Sequence, residues 1–90
     1  MEQDEIIQIP INGTLDLHTF SPKDVKDLVP EYLEECKKFG ITEVRIIHGK
    51  GIGVLREIVH SILDKHSDVI SYEYGRSWGD TVAVLRKPEV

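Results

Sequence analysis

The first predicted strand follows from a strict alternation of apolar and polar residues. In the segment TLDLH, Thr14–His18, Leu15 and Leu17 fall on one side, and Asp16 and His18 fall on the other. Successive side chains of a strand point to opposite faces, so this spacing predicts a strand with one buried face. The two ionisable residues are therefore expected on the exposed face, near the end of the strand.

Three later segments also predict strands. Glu43–His48 and Val69–Tyr74 are rich in β-branched and aromatic residues, which favour extended structure. Thr81–Leu85 is apolar on both faces, which indicates a strand in the centre of a sheet. The lead-in Ile6–Ile11 is also apolar, but Pro10 limits it to an edge strand or to packing against the sheet.

The segment between the first two strands predicts a helix. Ser21 suits the N-cap and Pro22 the first helical position, and apolar residues recur at helical spacing up to Gly40. Gly40 suits the position just beyond the helix, where a left-handed backbone is common. Pro30 lies inside this pattern and is expected to kink the helix or split it in two.

A second amphipathic pattern begins at Val54 and ends near His66, which completes the order β-α-β-α-β-β. A helical crossover joins parallel strands, so the first three strands are predicted to run in the same direction. The chain of 90 residues shows no internal repeat or interdomain linker, which indicates one α/β domain. We assign residues 1–12 to an acidic tail with an apolar lead-in, and residues 13–90 to the domain.

The composition is typical of a globular protein, with 40% hydrophobic and 30% charged residues. No apolar run approaches the ~18 residues that a membrane span requires, and the acidic start differs from the basic start of a secretory signal. We therefore expect a cytoplasmic protein with no membrane partner. The single Cys36 falls in a helical apolar stripe and is interpreted as a packed core residue.

The net charge of −5 is opposite in sign to the basic surface that is typical of nucleic-acid-binding proteins. Residues 1–40 carry nine acidic and four basic side chains, whereas residues 41–90 carry seven of each. The acidic excess therefore belongs to the first half, where we interpret it as a tail and a solvated helix face. Any binding of phosphate must be local and sensitive to salt.

The segment HGKGIGVLR, which joins the second strand to the second helix, is a candidate phosphate-binding loop. Gly49, Gly51 and Gly53 allow a left-handed or tight backbone and the close approach of an anion. The first N–H groups of the following helix carry partial positive charge, to which Lys50 and Arg56 would add full charges. The alternative is that these glycines only turn a strand into a helix.

Two nucleotide-binding motifs are excluded in this loop. It lacks the GxxxxGK[ST] pattern, and Val54 stands where the dinucleotide fingerprint has its third glycine. We therefore expect no nucleotide cofactor.

Ionisable residues end the two strands that flank this loop. Asp16 and His18 end the first strand and His48 ends the second, so neighbouring parallel strands would bring all three to one edge of the sheet. The turn after the third strand lies at the same edge and offers three more side chains: Arg76, Trp78 and Asp80. These groups together predict a cleft, in which Trp78 either stacks on a base or covers one end of the core.

The remaining histidines and tyrosines receive a structural interpretation. His60 is placed on the polar side of the second helix, and His66 near its C-terminus, where it favours the helix dipole. Tyr72 and Tyr74 share a strand face with Ile70, which favours core packing over base stacking.

The segments TLDLH and HGKGIGVLR, followed by a terminal hairpin, resemble the Smr (small MutS-related) domain from about Thr14 to Leu85. The chain looks like a short stand-alone member of that family. The resemblance implies a two-layer α/β sandwich with two helices and a four-stranded mixed sheet of order 1-2-4-3, similar to the C-terminal domain of a bacterial translation initiation factor. The sequence departs from the family at Thr19, where many members have glycine, and at SWGDT, where many have a GGxGAT-like run.

The resemblance also implies nucleic-acid binding and, as in several members, an endonuclease that nicks DNA or cleaves RNA, with a link to DNA repair. It carries functional roles to six residues: Asp16, His18, His48, Gly49, Lys50 and Gly51. The two departures leave open a non-catalytic module that binds nucleic acid or the ribosome. A protein adaptor that uses the acidic helix face is a third alternative.

Cleavage of a phosphodiester needs an activated nucleophile, a proton for the leaving oxygen and stabilisation of the phosphoryl charge. We predict that His18 or His48 is the general base or acid, and that Asp16 orients a histidine. Lys50 and the helix N-terminus would stabilise the phosphate oxygens. Asp16 and His18 are compatible with a divalent metal, Mg²⁺ or Mn²⁺, and equally with metal-free chemistry, so no cofactor is assigned.

Overall fold

Strands and helices follow one another in the predicted order β-α-β-α-β-β. The computed structural model describes residues 9–51, 53–75 and 79–87. The elements are β1 (Thr14–Asp16), α1 (Pro22–Lys38), β2 (Glu43–Ile47), α2 (Val54–Lys65), β3 (Val69–Tyr74) and β4 (Asp80–Leu85).

The four strands form one mixed sheet of order β1-β2-β4-β3, as the resemblance implied. β1 pairs in parallel with β2, and β4 lies antiparallel between β2 and β3. β3 therefore runs in the same direction as β2 without pairing with it. Both helices lie on one face of this sheet, which gives the two-layer α/β sandwich.

The central position of β4 confirms the prediction made from its apolar residues. Thr81, Ala83 and Leu85 are at most 2% exposed and face the helices. Val84 points to the other face of the sheet, here called the outer face, and is 38% exposed. Only one side of the central strand is therefore fully covered.

Helix α1 begins and ends as the sequence predicts. Ser21 is the N-cap and its hydroxyl accepts the N–H of Asp24 at 3.3 Å. Gly40 follows the last turn with φ of 75° and donates its N–H to the carbonyl of Lys37 at 3.0 Å. A left-handed residue at this point ends the helix while it satisfies a terminal carbonyl.

Of the two outcomes expected at Pro30, a kink or a split, the split is wrong, because residues 22–38 form one helix. Val29 and Leu33 lie on either side of the proline, and both are at most 1% exposed in the core. Proline removes one hydrogen bond from the helix, but buried packing supplies most of the stability of a helix in a folded protein.

The core lies between the helices and the sheet. Cys36 is fully buried there, as predicted, and burial raises the pKa of its thiol. Ile9 and Ile11 of the apolar lead-in pack against the core without forming a strand, and residues 1–8 lie outside the described part of the chain. Within the described residues, neither helix has the length and apolar character needed to cross a bilayer.

Candidate functional site

The carboxyl ends of β1 and β2 lie at the same edge of the sheet as the N-termini of both helices. The parallel pairing of the two strands produces this arrangement, since each strand leads into a loop and then into a helix. A cavity of ≈ 330 Å³ opens at this edge. This cavity, here called the rim cavity, is lined by His18, Phe20, Pro22, His48, Gly49, Gly51, Gly53, Val54 and Leu55.

The rim cavity brings together most of the side chains that the sequence placed at this edge. His18 and His48 both line it, although they lie 30 positions apart in the chain. Asp16 is joined to it through a contact with His18. Among the predicted site residues that the structure describes, three do not line the cavity itself: Asp16, Lys50 and Arg56.

Asp16 fixes the orientation of the His18 ring. Its Oδ1 lies 2.5 Å from Nδ1 of His18 and also accepts the backbone N–H of His18 at 3.1 Å. A carboxylate oxygen accepts hydrogen bonds, so Nδ1 carries the proton and Nε2 of the neutral ring keeps its lone pair. Among the described residues, none makes a hydrogen bond with this Nε2, and the His18 side chain is 61% exposed.

The same contact changes the acidity of the carboxyl group. The side-chain hydrogen bond with His18, assisted by the backbone N–H of His18 and the positive charge of Arg45, lowers the pKa of Asp16 below its ordinary value. The Asp16 carboxyl group is therefore ionised at neutral pH.

The glycine loop is held against the start of β4. The backbone N–H groups of His48 and Gly49 both donate to the carbonyl of Gly79, at 3.0 and 2.8 Å. Gly49 has φ of 86° and Gly53 has φ of 87°, so both need the left-handed freedom of glycine. Gly51 does not have a positive φ, so two of the three loop glycines, Gly49 and Gly53, take the left-handed conformation that the sequence allowed.

Helix α2 begins without a side-chain cap, because its N-cap is Gly53. The first N–H groups of the helix therefore face the rim without a hydrogen bond to an N-cap side chain. The Arg56 side chain folds back over this end: a Cβ on Gly53 would lie 2.6 Å from its Nη2. Lys50 is exposed on the loop itself. Ile52, between the two, lies outside the described residues.

His48 is 5% exposed, and both of its ring nitrogens have partners inside the protein. Nδ1 lies 3.0 Å from the carbonyl oxygen of Gly49, and Nε2 lies 2.8 Å from the hydroxyl of Thr81. The ring contributes to the wall of the rim cavity, but its nitrogens are engaged in the structure of the loop.

His60 lies against the sheet, which the sequence reading missed. Its Nε2 is 2.8 Å from the same Thr81 hydroxyl, and its ring centroid lies 4.8 Å from that of Tyr72 and 5.2 Å from that of Tyr74. The placement of His60 on the polar side of α2 was therefore wrong. A signal was present in β4, where Thr81 is a polar residue within an apolar run and needs a buried partner.

Asp80 does not join the rim cavity, although it follows the same turn. Its carboxylate accepts a hydrogen bond from Nε of Arg45 at 2.6 Å on the outer face, and the side chain is 5% exposed. Gly75 lies so close to this carboxylate that a Cβ there would collide with Oδ1. The predicted contributions of Arg76 and Trp78 fall on residues outside the described part of the chain.

His66 lies at the other end of the helices and supports the end of α2. Its Nδ1 accepts the N–H of Asp68 at 3.1 Å, and its Nε2 lies 3.1 Å from Oε2 of Glu34. Among the described residues, these three side chains are the group whose ligand atoms lie close enough to hold a metal ion. Lys37 already pairs with Asp68 at 3.1 Å, so its ammonium group neutralises the Asp68 carboxylate.

The sequence and fold match one family. The family model for the Smr domain matches residues 15–86. The "Endonuclease MutS2" of Halothermothrix orenii is 38% identical over 80 residues, which cover 84% of this chain and 10% of that protein. The chain thus spans about a tenth of the length of the curated relatives that it matches.

Two solved structures share the fold. The crystal structure of the Smr domain of Thermus thermophilus MutS2 has a TM-score of 0.78 and 29% identity, and the match covers 83% of this chain and 99% of that one. The crystal structure of YdaL, a stand-alone small MutS-related protein from Escherichia coli, has a TM-score of 0.79 and 25% identity, over 83% of this chain and 65% of that one. This chain belongs to the Smr domain family.

Proposed function

We propose that this domain binds nucleic acid at the rim cavity and hydrolyses a phosphodiester bond there, as an endonuclease that nicks DNA or cuts RNA. Membership of the Smr family and similarity to proteins named endonuclease MutS2 support this class of function. One observation carries the proposal: the histidine that Asp16 orients opens to the same cavity as the glycine loop and the uncapped start of α2.

Binding of a phosphate group would use backbone amides first. The N-cap Gly53 offers no side chain to accept the N–H groups at the start of α2, and the helix dipole favours an anion at that position. Arg56 lies over the N-cap Gly53, and Lys50 is exposed beside it. These two cations give a local positive site on a domain whose net charge is −5.

Proton transfer would use Nε2 of His18. As a base, this nitrogen takes a proton from the attacking water or hydroxyl while the new P–O bond forms and the bond to the leaving oxygen breaks. Asp16 stabilises the imidazolium that results, because Nδ1–H points at its Oδ1. The leaving oxygen then takes up a proton, either from the imidazolium or from solvent.

His48 stays a predicted catalytic residue, but we assign acid–base chemistry first to His18. His48 has both nitrogens engaged by Gly49 and Thr81, whereas Nε2 of His18 makes no hydrogen bond with the described residues. The involvement of Mg²⁺ or Mn²⁺ also stays a prediction. In that alternative Asp16 and His18 would hold the ion, which would supply charge stabilisation.

Cleavage of supercoiled plasmid and of labelled RNA tests the catalytic proposal. The wild-type domain should convert supercoiled DNA to the nicked form or cut RNA, and His18→Ala should abolish this without unfolding the domain. His66→Gln is the matched control, since His66 lies at the far end of α2. Assays with Mg²⁺, with Mn²⁺ and with a chelator test the metal. Absence of cutting under all conditions would contradict the catalytic proposal.

A non-catalytic binding module is the second candidate. The glycine loop, Lys50 and Arg56 do not depend on His18 for their geometry, so binding can persist without cleavage. In that case His18→Ala would leave nucleic-acid affinity unchanged while no variant cuts. A ribosomal partner and a cytoplasmic location stay predictions, and co-sedimentation with ribosomes checks the partner.

A further inference from the structure

Two histidines from separate elements meet at one buried hydroxyl. His48 follows β2 and His60 lies on α2, yet the Nε2 atom of each is 2.8 Å from Oγ1 of Thr81 in β4. The two rings lie nearly perpendicular, with centroids 6.0 Å apart. Thr81 is 0% exposed and His48 is 5% exposed, so water does not reach this junction freely.

The direction of each hydrogen bond in this junction follows from the chemistry of its groups. The carbonyl oxygen of Gly49 can only accept a hydrogen bond, so Nδ1 of His48 must carry the proton and donate it. Nε2 of neutral His48 is then an acceptor, and the Thr81 hydroxyl must donate to it. A hydroxyl has one proton, so its oxygen can only accept from Nε2–H of His60.

We propose that Thr81 and His60 are positioning residues that hold His48 with its proton on Nδ1, so that its ring fixes the carbonyl of Gly49 and with it the phosphate-binding form of the glycine loop. These hydrogen bonds form a relay: His60 donates to Thr81, Thr81 donates to His48, and His48 donates to the carbonyl of Gly49. The part of this inference that concerns the loop's ligand rests on the proposed function. The part that concerns the protons stands on the geometry alone.

The surroundings of His60 suit the role of a neutral donor. Its ring packs against Tyr72 and Tyr74, with centroids 4.8 and 5.2 Å away. Burial, together with the charges of His48 and Arg56, lowers the pKa of His60. His60 therefore keeps its neutral form, with a donor N–H, to a lower pH than an exposed histidine would.

Within the part of the chain that the structure describes, few other contacts could set the form of the loop. The N–H groups of His48 and Gly49 share one carbonyl of Gly79, and Gly49 itself has a left-handed backbone at φ 86°. Gly49 has no side chain to restrict its backbone, so its carbonyl can rotate at little steric cost. The His48 ring supplies the restraint that sterics do not.

Long-range ¹H–¹⁵N NMR of the imidazoles in the full chain tests the proposal, since ¹⁵N shifts distinguish a protonated from an unprotonated ring nitrogen. At a pH where the rings are neutral, we expect His48 with its proton on Nδ1 and His60 with its proton on Nε2. The opposite form of His48 in the wild-type domain would overturn the proposal, whatever the domain binds.

Variants of the hydroxyl and of the donor sharpen this test. Thr81→Val removes the hydroxyl, and we expect His48 to move toward the Nε2–H form and the Gly49 amide resonance to shift. Thr81→Ser keeps the hydroxyl and should restore the His48 proton and the Gly49 resonance to their wild-type positions. A serine variant that differs from wild type would contradict the relay even if the valine variant folds poorly. His60→Phe keeps a ring without the donor and should give a smaller change in the same direction. An unchanged His48 proton in Thr81→Val would contradict the relay.

Binding of a short single-stranded oligonucleotide gives a separate readout. Loss of one net hydrogen bond predicts an affinity between about two- and tenfold weaker in Thr81→Val, with recovery in Thr81→Ser. If the His48 proton moves while no variant, including wild type, binds the oligonucleotide, the relay stands and the proposed function fails. If the wild type binds and Thr81→Val binds equally well although the His48 proton has moved, the proposal that the relay sets the phosphate-binding form of the loop is overturned.

Discussion

Oδ1 of Asp16 contacts His18 at two atoms at once, the ring Nδ1 at 2.5 Å and the backbone N–H at 3.1 Å. The two residues are separated by one buried leucine at the end of β1, so the same turn that ends the strand also orients the ring. A carboxylate that accepts both bonds commits Nδ1 to donation and directs Nε2 to solvent at the rim.

The first prediction concerns this pair. His18→Ala should lower the nicking rate by about 10²- to 10⁴-fold, the usual contribution of a general acid or base. Asp16→Asn should also lower it, because a neutral amide does not stabilise an imidazolium. Thermal unfolding should change little in His18→Ala, since that side chain is 61% exposed. Retention of full activity in both variants would place the chemistry elsewhere.

The second prediction compares two glycines of one loop. Gly49 has φ of 86°, so Gly49→Ala forces alanine into a left-handed conformation and should cost about 1–2 kcal/mol of unfolding free energy. Gly51 has neither a positive φ nor an atom within 4 Å of an added Cβ, so Gly51→Ala is the matched control and should be nearly neutral. Urea unfolding of both variants measures the difference, and equal losses would contradict the described loop.

The third prediction concerns the charges at the rim. Lys50→Ala and Arg56→Ala should each weaken nucleic-acid binding and make the slope of log affinity against log salt less steep by about one unit. Lys38→Ala is the control, because Lys38 pairs with Glu35 near the end of α1, away from the rim. Fluorescence anisotropy at several salt concentrations gives the slopes. A loss in the Lys38 variant equal to that in the rim variants would argue for diffuse charge attraction.

The fourth prediction concerns the pH dependence of stability. The folded state lowers the pKa of His60 below its ordinary value of 6.5, so below that pH the unfolded chain takes up more protons than the folded one. The stability contributed by neutral His60 is therefore complete above pH 6.5 and is lost as the pH falls toward the folded pKa.

Urea unfolding at a series of pH values checks this sign. The wild-type domain should lose unfolding free energy below pH 6.5 more steeply than His60→Gln, which cannot take up the proton. The difference between the two curves isolates His60 from His48 and His66. A His60→Gln curve of equal slope would show that the ring is not shielded in the folded state.

Much of the fold follows from short-range patterns in the sequence. The alternation in Thr14–His18 and the start of α1 at Ser21 depend on neighbouring residues. The helix starts as predicted, and the strand forms at Thr14–Asp16, two residues shorter than predicted. The continuity of α1 through Pro30 was not predicted, because it depends on the burial of Val29 and Leu33 against distant elements.

The site was predictable in part for the same reason. His18 and His48 follow the ends of two parallel strands, and the rule that such ends share an edge placed them together. His60 escaped the sequence reading because its importance comes from Thr81, a contact between residues 21 positions apart. No periodicity within α2 distinguishes a histidine that meets a strand hydroxyl from one on the flank of the helix.

Backbone amide shifts during titration with a short single-stranded oligonucleotide test the central claim most directly. If the rim cavity is the nucleic-acid site, the largest shifts should fall on His18, Gly49, Gly51 and Gly53, and they should shrink in Lys50→Ala. Shifts confined to the outer face of the sheet, around Glu43 and Val84, with no change at the rim, would contradict the account.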